Sequence, residues 1–217
     1  MNKYLITLVF IVFFTGCNTK KEQISSIKIL PYYEEATFTP RWFETDQDLP
    51  ANFHQIPSFT LQNQLGKTIT EQDVDGKIYV VDFFFTTCPG ICPRMTDNMA
   101  IVQKEFLNDD RVLLLSHSVT PEFDSVATLQ VYAEANGIVS DRWHLLTGER
   151  KEIYDLGRNH YFVEEDLGLA KDLNDFIHTE NFVLIDQNRH IRGIYNGLNK
   201  TAIAQLIADI NTLKTKI

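Results

Sequence analysis

Cys88 and Cys92 are the residues with the clearest capacity for chemistry in this chain. They lie in Thr87-Cys88-Pro89-Gly90-Ile91-Cys92-Pro93, directly behind the apolar run Ile78 to Phe85, where a buried strand ends and a helix is expected to begin. On a helix, positions i and i+4 share one face about one turn apart, so both sulfurs can face one atom or each other. The N-terminus of a helix offers free N–H groups and the positive end of the dipole, which favour thiolate at both cysteines. Two chemistries follow: dithiol redox exchange, or ligation of a soft metal. Common redox motifs keep two residues between the cysteines. Here there are three, a spacing that permits a disulfide, changes the bite and suits two thiolates on one soft ion. Copper(I) prefers sulfur ligands, and imidazole also suits copper.

The elements that must position these thiols can be read from pattern. Phe59 to Leu61 and Thr68 to Thr70 flank a turn over Asn63 to Lys67 and predict a short hairpin. The run of β-branched and aromatic residues from Ile78 to Phe85 predicts a central strand buried on both faces. Pro93 suits the first turn of the next helix, on which Met95, Met99, Val102 and Phe106 recur at helical spacing. Arg111 to Val119 predicts a second buried strand, Asp124 to Ala135 a helix stopped at Asn136-Gly137, and Trp143 to Leu146 a third strand. A helix over Glu149 to Asn159 follows. Then come an irregular acidic stretch over 160–176, a hairpin of Phe182 to Asp186 with Ile191 to Tyr195, and a closing helix from Thr201 to Leu213. This order is a mixed α/β layout. With cysteines at the first strand-to-helix turn, it is the thioredoxin-like arrangement: a central mixed sheet flanked by helices.

The chain has 217 residues, 44% of them hydrophobic, enough for one domain with a tail. A formal charge of −9 argues against a nucleic-acid partner, which would call for a basic face. The first residues carry Lys3 and then the apolar stretch Tyr4 to Phe14, shorter than the ~20 residues of a membrane-spanning helix. The stretch ends in Thr15-Gly16-Cys17 and resembles a bacterial lipoprotein signal, with cleavage before Cys17 and lipid on its thiol. Residues 1–16 are thus expected to be a signal peptide and 17–50 a lipid anchor, tether and entry segment. Residues 51–217 form the domain, held at the membrane on the periplasmic side of the cell envelope. The aromatic-rich stretch Ile27 to Phe43 predicts a hairpin extension on the domain edge. Outside the cytoplasm a thiol pair tends to be oxidised unless a metal or a reductant holds it. With Cys17 lipidated, Cys88 and Cys92 are the whole thiol inventory.

A third ligand must come from elsewhere, and the candidates are His54, His117, His144, His160, His178 and His190. His178 is best placed, in Asp175-Phe176-Ile177-His178-Thr179-Glu180, just before a predicted strand. In a thioredoxin-like fold that loop faces the cysteine turn, and redox members normally carry a cis-proline there. No proline follows Pro121.

Thr87-Cys88-Pro89-x-x-Cys92-Pro93 behind Phe83-Phe84-Phe85, with His178-Thr179 ahead of Val183-Leu184-Ile185-Asp186, resembles the Sco/SenC family over roughly residues 55–215. Pro57-Ser58-Phe59-Thr60-Leu61 and Gly66-Lys67 fit the usual family opening. The resemblance implies a thioredoxin-like fold that binds copper through Cys88, Cys92 and His178. It also implies a role in maturing the copper site of cytochrome c oxidase, as metallochaperone, thiol reductant or both. The implied partners are the copper-bearing oxidase subunit and a copper donor chaperone. Two positions depart from the family pattern. Gly90 and Ile177 stand where an acid is common, which predicts altered affinity or redox poise.

Other residues have a plainer reading. Met95 and Met99 are thioethers near the site, but their spacing is that of core packing. Asp82, inside an apolar strand, reads equally as a buried proton acceptor for the cysteines or as a hydrogen-bonded edge residue. Glu164-Glu165-Asp166 reads as a solvated loop. The competing function is a membrane-tethered thiol–disulfide oxidoreductase using Cys88 and Cys92. A peroxidase-like thiol enzyme fits less well, because one residue separates Thr86 from Cys88 and no Pro-x-x-x-Thr pattern precedes it. A copper-dependent redox sensor is a further reading.

Overall fold

The computed structural model describes residues 29–164 and 175–215. The signal stretch, Cys17 and the acidic pair Glu165-Asp166 lie outside the described residues.

The two most apolar runs form the middle of the sheet. β3 (Ile78–Phe84) and β4 (Val112–Ser118) are buried at every position and pair in parallel from Ile78 against Val112 to Phe84 against Ser118. Strands covered on both faces read as unbroken hydrophobic runs because neither side of the pleat meets water. β5 (Trp143–Thr147) continues the parallel set beside β4. The hairpin β6 (Asn181–Ile185) and β7 (Ile191–Asn196) adds antiparallel to β3, and β1 (Thr60–Asn63) with β2 (Thr68–Thr70) adds antiparallel to β5. The order is β2-β1-β5-β4-β3-β6-β7 among the described residues. Gly66 permits the tight β1–β2 turn, with φ +73° and its N–H on the Asn63 carbonyl.

Alternation along β3 splits the interior in two. Ile78, Val80 and Phe84 meet Met95, Met99, Val102, Leu129, Leu206 and Ile210 from α2 (Cys92–Phe106), α3 (Val126–Ala135) and α5 (Lys200–Lys214). Tyr79, Val81 and Phe83 face Ile153, Tyr154, Tyr161 and Ile177 on the other side. Met95 and Met99 are fully buried, in line with core packing.

Three local features differ from the sequence pattern. A short helix α1 (Glu71–Val74) follows β2, closed by a capping box between Thr70 and Asp73. α3 starts later than expected, at Val126, because Ser125 takes the cap and accepts from the Thr128 N–H. α4 (Arg150–Asp155) gives way to a π-helical turn over Leu156–His160, a local widening often found near functional sites. Glu164, read as a solvated residue, is mostly covered and ion-paired with Arg158 at 2.7 Å.

The N-terminal extension packs on the edge beside β7. Tyr32 pairs with Arg41 as a hairpin, and Tyr33 pairs with Ile191. The Arg192 guanidinium, almost wholly buried, holds the segment: it donates to the Leu30 and Pro31 carbonyls, pairs with Asp186 at 2.8 Å and lies 3.6 Å over the Tyr32 ring. An Arg buried this deeply is tolerated because its donors find carbonyls, a carboxylate and an aromatic face. No described helix is long and apolar enough to cross a membrane.

Candidate metal and thiol site

The cysteine turn sits at the C-terminal end of β3, where the sheet stops and α2 begins. Cys92 is the first residue of α2, and Pro93 follows where a missing N–H costs nothing. Cys88 lies in the turn ahead of the helix, so the two sulfurs do not meet as helical i and i+4 neighbours. The two thiols nevertheless stand close enough to perturb each other's ionisation. Cys92 is buried and Cys88 is partly exposed.

Their ionisation separates sharply. Partial burial opposes ionisation of Cys88, but the Cys92 thiol and the N–H groups of Cys92, Gly90 and Ile91 outweigh it, and its pKa lies below the ordinary thiol value. Burial first, then the hydrogen bond to Cys88 and the charge on Asp82, push the Cys92 pKa up to about 12. The expectation that both cysteines favour thiolate therefore holds for Cys88 alone. Backbone donors converge on the residue ahead of the helix, whereas the residue inside its first turn is sunk in the core. The arrangement supplies an accessible nucleophilic or metal-ligating sulfur with a resolving thiol behind it.

Two supports hold this turn. The Cys88 N–H donates to the Phe85 carbonyl at 3.3 Å. Asp124, 1% exposed, accepts from the Thr86 N–H at 3.3 Å, the Thr86 hydroxyl at 2.5 Å, the Ser118 hydroxyl at 2.6 Å and the Thr120 hydroxyl at 3.1 Å. Sequence reasoning missed this role and read Asp124 as the start of a helix. An aspartate beside Ser125 signals a cap; its partner, Thr86, is 38 residues away. Below Cys92, Asp82 accepts a hydrogen bond from the Ser116 hydroxyl, which accepts in turn from the Trp143 indole at 2.8 Å. Burial raises the Asp82 pKa to about 7, against the pull of that hydrogen bond.

His178 is solvent-exposed, between Ile177, 2% exposed, and Thr179, 7% exposed. Among the described residues no three His, Cys, Asp or Glu side chains stand close enough to hold one metal ion, so the structure brings Cys88 and Cys92 together and leaves His178 apart. Its loop nevertheless touches the cysteine turn: the Phe176 ring meets Phe85 edge-on at 5.2 Å. The donor set, two adjoining soft sulfurs and an exposed imidazole on a contacting loop, fits copper chemistry.

The two departures from the family pattern prove unlike. A Cβ on Gly90 would lie 3.9 Å from the Cys88 sulfur, so a side chain there would sit against it. Ile177 is buried against Phe83 and Gly157 in the core. The remaining histidines have other places. His117 is buried against Phe83 at 5.0 Å, and burial lowers its pKa to about 4. His144 hydrogen-bonds Asn63, and His54, His160 and His190 cluster where the N-terminal extension meets β7.

Comparison with known proteins agrees with this architecture. The SCO1/SenC family model matches residues 47–215. The structure of BsSco, a member of the Sco family of cytochrome c oxidase assembly proteins with a disulfide switch, is 30% identical. It covers 75% of this chain and 94% of its own, with a TM-score of 0.62. A SCO1/SenC family lipoprotein from Bacillus anthracis is 31% identical over 77% of this chain and 98% of its own, with a TM-score of 0.65. ScoI of Bradyrhizobium japonicum with copper bound is 26% identical over 72% of this chain and 98% of its own, with a TM-score of 0.57. With a thioredoxin-like sheet, a dithiol turn at the head of α2 and a family match over most of its length, the chain belongs to the SCO1/SenC family.

Proposed function

We propose that this protein is a copper-binding assembly factor for the copper site of cytochrome c oxidase. Cys88, Cys92 and His178 are its ligands, and copper is cargo rather than a resident catalyst. The observation that carries the reading is the pair of thiols, Cys88 and Cys92, that perturb each other's ionisation next to a loop that presents His178 and rests on Phe85. Thiolate sulfur from both cysteines and one imidazole would satisfy copper(I), and release to an acceptor would begin by ligand exchange at the partly exposed Cys88. The copper-loaded Bradyrhizobium relative supports the choice of metal. The partners are the copper-bearing oxidase subunit and a donor chaperone. Cys17 ties the domain to the membrane by lipid, with residues 1–16 removed as signal and 17–50 as tether.

The unequal cysteine pKa values favour a second reading as a thiol–disulfide reductant. Cys88 thiolate would attack a client disulfide, releasing one client thiolate. Cys92, on losing its proton, would then attack the Cys88 sulfur and release the second, passing two electrons and leaving a Cys88–Cys92 disulfide for an external thiol to reset.

Copper titration of the reduced protein, wild type against His178→Ala, decides between them. One tight copper per chain, clearly weakened by the substitution, supports the carrier. Binding indifferent to His178, beside brisk disulfide reduction, supports the reductant.

A further inference from the structure

The loop that carries His178 is tied at Asp175, whose carbonyl accepts from the Arg158 guanidinium, and from Phe176 onward it leans on apolar contacts. Phe85 closes β3, packs against both interior clusters, gives its carbonyl to the Cys88 N–H and offers its ring to Phe176 at 5.2 Å and 88°. Phe176 is 40% exposed, and its ring packs edge-on against Phe85. The next residue, Ile177, fills a socket made by Phe83 and by Gly157 of the π-helical turn. A Cβ on Gly157 would come within 3.0 Å of both Ile177 Cδ1 and the Phe83 ring. After His178 the loop is pinned again, where the Thr179 hydroxyl accepts from the Asn181 N–H at 3.1 Å. In extended chain successive side chains point to opposite sides, so Ile177 and Thr179 inward put His178 outward, on the same side as Phe176.

We infer that Phe176 is a positioning residue for His178: its contact with Phe85 couples the histidine loop to the cysteine turn, with Ile177 in the Gly157 socket as the pivot. This rests on the copper reading above. Groups that orient a metal ligand typically change affinity 10- to 100-fold when removed. A half-exposed aromatic contact belongs at the lower end of that range.

The test uses the full-length chain in detergent. Copper(I) affinity is measured by chelator competition, copper(II) spectra are read for imidazole nitrogen coupling, and the Cys88–Cys92 potential of the metal-free protein is the control. Phe176→Ala is expected to weaken copper about 10-fold and to diminish the nitrogen coupling, with Phe176→Leu returning affinity to within about 3-fold of wild type. The metal-free thiol potential stays unchanged. Gly157→Ala, which displaces Ile177 without touching Phe176, is expected to weaken copper in the same direction. Wild-type affinity and nitrogen coupling in Phe176→Ala, beside clear weakening in His178→Ala, would overturn the joint and leave the copper site standing. No weakening in His178→Ala would remove the ligand itself, and the joint with it.

Discussion

The cysteine turn and the histidine loop lie side by side and are held by different forces. The turn is built from directed polar contacts: four donors on the Asp124 carboxylate, the Cys88 N–H on Phe85, and three backbone N–H groups around the Cys88 sulfur. The loop leans mainly on rings and an isoleucine, with polar pins toward its two ends: the Arg158 guanidinium on the Asp175 carbonyl and the Thr179 hydroxyl on the Asn181 N–H. Hydrogen bonds have direction and set the charge state of what they surround, while apolar contacts are non-directional and fix position without fixing charge. A thiol whose ionisation must be controlled needs the first kind. On the copper reading proposed above, an imidazole that meets and releases a metal is served by the second.

The sharpest way to break this contrast is Asp124→Ala. Four donors, Ser118 buried and the others partly so, lose their acceptor, and at about 1 kcal/mol for each the cost is roughly 4 kcal/mol, read by urea unfolding of the metal-free protein. A cost below about 1 kcal/mol, close to a typical surface substitution, would show that the polar strut does not hold the turn.

Acid is next in size. His117, beneath the histidine loop, is held neutral with its pKa near 4, so between about 6.5 and 4 the unfolded chain binds a proton that the folded chain refuses. Stability therefore falls as pH falls through that window, by about 3 kcal/mol from this group. Asp82, beneath the cysteine turn, has the opposite sign. Its raised pKa near 7 makes the folded chain bind a proton first, so acidification from 7 toward 4 returns stability. Unfolding measured from pH 7 to 4 should show less acid loss in His117→Phe and more in Asp82→Asn than in wild type. Identical slopes in all three would contradict the assignment.

Gly157→Ala should cost about 1 to 2 kcal/mol by overpacking against Ile177 and Phe83, seen as a lower thermal midpoint with little change at the thiols. A midpoint equal to wild type would mean that the socket has room to spare. Thr179→Val, which removes the acceptor of the Asn181 N–H, should cost about 1 kcal/mol and loosen only the loop, measured as faster amide exchange at Asn181. The smallest effect expected is at Gly90→Asp. A carboxylate carried on a Cβ 3.9 Å from the Cys88 sulfur, in a watery setting, is worth about 1 kcal/mol or less, raising the pH midpoint of thiolate formation by roughly half a unit in alkylation kinetics.

Much of the scaffold was readable in one dimension. Strands β3 and β4 announce themselves by their runs of β-branched, aliphatic and aromatic residues, and the hairpin of β6 and β7 by two shorter β-rich stretches about a short turn. The dithiol is a matter of spacing, and the position of His178 before a strand marks its loop as the one facing the cysteines. Short-range patterns of this kind survive folding because period and turn chemistry act within a few residues.

What sequence alone could not decide depended on distance. It could not place Asp124 under Thr86, since two polar residues 38 positions apart carry no mutual signal. It could not tell that Cys92 would be sunk and Cys88 surrounded by N–H groups, because thiol ionisation follows burial and local donors rather than residue type. Nor could it show that Gly90 sits against the reactive sulfur while Ile177 is turned into the core. The sequence by itself determined which atoms are available for chemistry and which strand-to-helix turn bears them. Only the packed tertiary structure decided their charge, their supports and their separation, because those are set by neighbours that folding brings together across the sheet.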